Sequence, residues 1–139
     1  MSYKPIGARR EGREAAVQFL YQQDLNPDTT VLNLPEFYSL RGLSPSARRF
    51  SETLIRGASY HRDCIDSMIQ SYTKNYRLMR ISSVDRNILR IAIYEMLERP
   101  EIPSVVSINE AIEIAKKYST EESGRFVNGV LDKVRLVLN

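Results

Sequence analysis

Apolar positions along the chain recur at spacings of three and four, and no segment alternates convincingly in the manner of a half-buried strand. The pattern predicts an all-α fold. Ala16, Val17 and Leu20 form the first stripe, with Phe19 and Tyr21 on its flanks. That helix should stop before Asn26-Pro27, because proline disfavours helical geometry in the residue before it. Arg9 and Arg13, four apart, would project from its first turns, behind a flexible basic arm over residues 1–12. A loop over residues 26–34 then leads through Pro35 into the short segment "EFYSL", which Gly42 ends.

Ser44-Pro45 reads as a helix start, with serine capping free N–H groups and proline supplying a preset φ. Phe50, Leu54, Ala58, Ile65, Met68 and Tyr72 keep roughly one face, so one long helix is expected through residue 72, with Gly57 its weak point. "TKNYRLMRI" links it to Ser82, which stands three residues before Asp85 at capping-box spacing. The helix that follows, "VDRNILRIAIYEML", is apolar around all but a strip of Asn87, Arg90 and Tyr94, which suits the middle of a bundle, and Pro100 ends it. The same spacing at Ser107 and Glu110, and again at Ser119 and Glu122, predicts two further helix starts.

The last of these settles a local conflict. Asn128-Gly129 between apolar residues is a strong hairpin signal, yet Val127, Val130, Leu131 and Val134 repeat at helical spacing and no second strand follows. The helix reading prevails, at a cost of about 1 kcal/mol for an interior glycine against alanine. With Val127, Val130, Leu131, Val134 and Leu138 turned to the core, Arg125 and Gly129 share the opposite face, Phe126 and Lys133 lie at one rim, and Asn128 at the other. An aromatic rim beside cations is a plausible platform for a nucleobase, since stacking needs a ring and phosphate needs a cation. Packing of Phe126 under a neighbouring helix is the competing reading, and Gly129 suits close approach of either RNA or another helix.

A chain of 139 residues has single-domain length. It carries no apolar run for a membrane span and no export leader, so the expected compartment is the cytoplasm. Its single cysteine, Cys64, cannot form an internal disulfide. Lysine and arginine number 20 against 17 aspartates and glutamates, a net charge of +3. Residues 1–13 hold Lys4, Arg9, Arg10 and Arg13 against Glu11 alone, so this segment carries the whole excess. A basic cluster on a neutral body is the footprint of an anion contact, and equally of a plain solubilising tail.

Catalytic candidates are few. "GARREGRE" has the glycine spacing of a phosphate loop but lacks the Lys-Ser/Thr that reaches the phosphates. His61 and Cys64 are the sole members of their types, which leaves a zinc site without its ligand set and a nucleophile–base pair without an evident orienting group. Glu95 falls in the apolar arc of the central helix and must be paired there. Neither an enzyme nor a cofactor or metal is expected.

"RREGREAAVQFLYQQDL", "VDRNILRIAIYEM", "EIP" and above all "INEAIEIAKKYSTEESGRFVNGVLDKV" resemble the NusB family of bacterial transcription antitermination factors, nearly from end to end and least over residues 26–75. The resemblance implies about seven helices in two small perpendicular bundles. It implies binding of boxA-type RNA together with the ribosomal protein NusE, within an antitermination complex that lets RNA polymerase read through terminators in ribosomal RNA operons. The RNA would be single-stranded, read by stacking and base-edge hydrogen bonds. The family's RNA surface maps onto Arg9, Arg10, Arg13, Glu122 and Phe126, with Glu11 in place of a further arginine, and Arg125 stands beside it on the helical wheel. The partner-protein surface maps onto Tyr21 and Asp85. Monomer and homodimer are both open to the free protein.

Overall fold

The computed structural model describes residues 7–73 and 78–138, save the side chain of Met79. Among the described residues, seven α-helices follow one another: α1 (Ala8–Leu25), α2 (Leu34–Arg41), α3 (Pro45–Tyr60), α4 (Arg62–Ser71), α5 (Ser83–Glu98), α6 (Ser104–Tyr118) and α7 (Glu121–Leu138). Two 3₁₀ turns, Val31–Asn33 and Leu78–Arg80, lead into α2 and α5. There is no strand among the described residues.

The caps show why helices form where they do. Ser44 Oγ accepts the Ala47 N–H at 3.2 Å and Ser82 Oγ accepts the Asp85 N–H at 3.2 Å, each satisfying a donor that the first helical turn leaves unpaired. Gly42 closes α2 at φ 66°, in the left-handed region that glycine enters without strain. At the centre stands α5, packed against α1, α3, α4, α6 and α7. Its Ile88, Leu89 and Ile93 lie in the core with Phe19, Leu54, Ile65, Ile69 and Leu131. α1 pairs with α3 on one side, and α6 with α7 as a helical hairpin on the other.

Among the described residues, three polar clusters tie helices distant in sequence together. Arg13 donates to both oxygens of Glu95, at 2.8 and 2.7 Å, and Ser107 Oγ donates to the same carboxylate at 2.9 Å, joining α1, α5 and α6. Lys117 Nζ and Tyr118 Oη both donate to Glu14, at 3.0 and 2.6 Å. Asp24 accepts from Ser83 and Asn87 at 2.9 Å and from Arg86 at 3.0 Å, while Arg90 holds both oxygens of Asp66 at 2.8 and 3.0 Å.

This last cluster makes stability acid-sensitive. Burial opposes ionisation of Asp24, but the bonds from Asn87, Arg86 and Ser83 and the charge of Arg90 outweigh it and hold the carboxyl below its ordinary value. A folded value below the unfolded one gives stability that is present above the unfolded value of about 4 and lost as pH falls through the folded one. Urea midpoints should therefore decline below about pH 4, and less steeply in Asp24→Asn. Parallel pH profiles for the two proteins would contradict this.

Several expectations are corrected. The long helix over 45–72 is broken at His61, whose backbone (φ −96°, ψ 15°) leaves the helical region; α4 then sets Asp66 on Arg90. Ser107 does not start α6, which begins three residues earlier after Pro103; buried inside the helix, it serves Glu95 instead. The cap of α7 is Thr120, whose Oγ1 accepts the Ser123 N–H at 3.0 Å, not Ser119. Asn87, Arg90 and Tyr94, the strip left over on α5, are buried as well, because the end of α1 and α4 supply partners to the first two and the Tyr94 ring lies against Gly57 of α3. Residues 8–12 of the basic arm are helical; residues 1–6 and the linker residues 74–77 lie outside the described residues.

Candidate nucleic-acid interface

The basic segment divides on folding. Arg9 is exposed, its guanidinium 5.2 Å from the centroid of the half-buried Phe50 ring, and it has no ion pair among the described residues. Arg10 is half-exposed and grips Glu110 with both its Nε and Nη2, at 3.1 and 2.5 Å, a bidentate pair that holds the side chain against α6. Arg13 does not project. It is 3% exposed and committed to Glu95, which is 1% exposed, so its assignment to the RNA surface is corrected: at a buried position on the inner face of α1 its charge is consumed by the core.

The α7 surface follows the helical wheel. Arg125 and Gly129 are exposed on one face while Val127, Val130, Leu131 and Val134 are buried on the other. Phe126 is half-buried: one part of the ring packs against the core and the other lines a groove. A Cβ added at Gly129 would meet nothing within 4 Å, which removes helix packing within this chain as the reason for the glycine. Gly129→Ala should accordingly raise stability by about 1 kcal/mol, the interior helix penalty recovered. A melting temperature that stays put or falls would contradict it.

A groove of about 240 Å³ opens between the starts of α5 and α7. Arg80, Ser82, Asp85, Glu122, Ser123 and Phe126 line it. Asp85 is buried. Its Oδ2 accepts from Ser123 Oγ at 3.0 Å and its Oδ1 has no partner among the described residues. Burial pushes this carboxyl up, and the bonds from Ser123 and Ser82 offset part of the push. The fold thus brings Asp85, assigned from sequence to a protein partner, onto one groove with Glu122 and Phe126, assigned to RNA. Tyr21 is half-buried on α1, about three turns beyond Arg10.

Sequence reasoning missed Phe50, Arg99 and Arg80. Phe50 was one apolar position among many in α3, and Arg99 stood in a "RPEIP" break with no periodicity to give it a face. The other catalytic candidates disperse. Cys64 is exposed, and His61 sits 3.6 Å from Glu98 with its ring 5.0 Å from that of Tyr60. Among the described residues no group of three His, Cys, Asp or Glu side chains could hold a metal, and no helix is long and apolar enough to cross a membrane.

Fold and surface together define an all-helical interaction domain with a basic, aromatic face at the start of α1 and an acid-lined groove between α5 and α7. The family model described as "NusB family" matches residues 10–135. The chain belongs to the NusB family. It is 46% identical to the transcription antitermination protein NusB of Myxococcus xanthus over 138 residues, covering 96% of this chain and 99% of that one. To the NusB of Methylacidiphilum infernorum it is 47% identical, over 91% of this chain and 90% of the other. Among solved structures, T. maritima NusB superposes with a TM-score of 0.83 at 37% identity, over 97% and 93% of the two chains. A complex of the antitermination factors NusB and NusE with double-stranded RNA superposes with a TM-score of 0.84 at 27% identity, over 94% and 97%.

Proposed function

We propose that this chain is a transcription antitermination factor of the NusB type, which binds boxA-type RNA of nascent ribosomal RNA transcripts jointly with the ribosomal protein NusE. It acts in the cytoplasm by assembly, holding RNA and protein in one complex that promotes read-through by RNA polymerase, and it makes and breaks no covalent bond. The carrying observation is the match of essentially the whole chain to NusB proteins, one of which is structurally known with NusE and RNA. Arg9 and the outer edge of Arg10 supply phosphate contacts, Phe126 supplies a stacking face with Arg125 and Glu122 beside it, and Asp85 and Tyr21 face the partner protein. We read the RNA as single-stranded in its protein-bound element, since a half-buried ring at a groove serves an unstacked base.

Binding of a fluorescent boxA-type RNA, with NusE titrated in, tests the reading. Phe126→Ala should lose about 1 to 3 kcal/mol of affinity. Arg9→Ala and Arg10→Ala should weaken all RNA sequences alike and flatten the dependence on salt. A duplex competitor should displace the probe poorly. Unchanged affinity in all three variants would sink the surface assignment. One observation favours a second reading, a protein-interaction module whose basic segment is structural: Arg10 and Arg13 are both paired to carboxylates of their own chain. Binding of NusE without any gain in RNA affinity would establish that reading instead.

A further inference from the structure

Three guanidinium groups converge on one aromatic ring. The Cζ atoms of Arg9, Arg13 and Arg99 lie 5.2, 5.3 and 5.6 Å from the centroid of Phe50, from the first turns of α1 and from the residue that follows α5. Arginines repel one another, so such a meeting needs either carboxylates or a bound anion. Arg13 has Glu95. Among the described residues, Arg9 and Arg99 have Glu101 between them, which bonds Arg99 Nε at 2.7 Å, feels the charge of Arg9 and has a half-exposed side chain. The Glu101 carboxyl is held below its ordinary value, chiefly by that bond, with the charge of Arg9 adding to it. The local balance is therefore one positive charge in excess, on a surface whose scaffold is rigid: the ring lies against α1 where Gly12 lets α3 approach so closely that an added Cβ would sit 2.9 Å from the Ala47 carbonyl oxygen.

We propose that Arg9, Phe50 and Arg99 form a further RNA-contact site, which takes one backbone phosphate and which Glu101 occupies in the free protein. The inference rests on the RNA-binding reading above and adds to it Arg99 as a binding residue and Glu101 as a competitor. A phosphodiester presents two oxygens that share one negative charge to the Arg99 fork, where the Glu101 carboxylate engages Nε through one oxygen, and it adds a further contact, to Arg9, across the ring. Phe50 holds both guanidinium planes in place, so little side-chain freedom is lost when the phosphate arrives. Glu101, on the exposed link before α6, turns outward to water.

The test is anisotropy of a labelled boxA-type RNA with NusE present, over a salt series, on the full chain. Arg99→Ala should weaken binding several-fold and lower the slope of log affinity against log salt by about 0.7, the loss of one phosphate contact on a single strand. Glu101→Gln should strengthen binding several-fold, and Arg99→Lys should retain part of the affinity and most of the slope. That graded series, with circular dichroism unchanged, separates a contact from a folding defect. Millimolar inorganic phosphate should not reproduce the Arg99→Ala loss, since a free ion lacks the neighbouring contacts. If affinity and slope are unaltered in Arg99→Ala and Glu101→Gln while Phe126→Ala and Arg10→Ala still lose binding, this site is overturned and the general reading stands. If the unmodified chain binds no RNA even with NusE, both fall.

Discussion

Arg13→Ala is expected to lower the unfolding free energy by about 3 to 5 kcal/mol, because it leaves the Glu95 carboxylate without its cation in the core. Burying an ion is costly, and the pair is tolerated only because the guanidinium fork satisfies both oxygens and Ser107 adds a third bond. Urea denaturation followed by circular dichroism measures the loss, and a change below about 1 kcal/mol would mean that water reaches the pair. Replacing both partners by apolar residues of similar size, Arg13→Met with Glu95→Leu, should recover much of the stability. RNA affinity separates the arginines. In Arg13→Ala it should follow the folded fraction, whereas Arg9→Ala should bind weakly at nearly unchanged stability.

Gly57→Ala should be almost as damaging, at about 3 kcal/mol, the upper part of the range for overpacking a core. A Cβ there would run into the distal end of the Tyr94 ring, which is buried and must move off α3 to admit it. The clash exceeds the roughly 1 kcal/mol that alanine gains over glycine inside a helix. Tyr94→Leu alone opens space beside α3, so the double variant should be less destabilised than the sum of the two single ones. Additive losses would show that the ring is not what excludes the methyl group. Gly57 and Gly129 thus look alike in sequence, two glycines inside helices, and predict opposite outcomes for the same substitution.

That contrast marks how far the sequence could be read. Stripes such as Val127, Val130, Leu131 and Val134 and caps such as Ser44 and Ser82 identified most helices, because those signals depend only on residues within a turn or two. The family motifs in "FVNGVLDK" and "INEAIEIAK" carried the functional reading, and the family assignment stands. Local signals failed where a distant residue decided. Ser107 has the spacing of a cap, yet its hydroxyl serves a carboxylate on α5. A continuous apolar face over residues 45–72 gave no warning of the break at His61.

At the candidate site the division is similar. Sequence alone determined the helical class, the exposed face of α7 with Arg125 and Gly129, and the concentration of positive charge ahead of residue 14, because periodicity and charge count are properties of the chain itself. Only the tertiary structure decided which of those charges are available. Arg9, Arg10 and Arg13 are equivalent on paper; packing of α1 against α5 and α6 buries the third on Glu95, half-commits the second to Glu110, and leaves the first on Phe50 beside Arg99. The two carboxylates lie 82 and 100 residues away along the chain, and no local pattern encodes a contact at that separation.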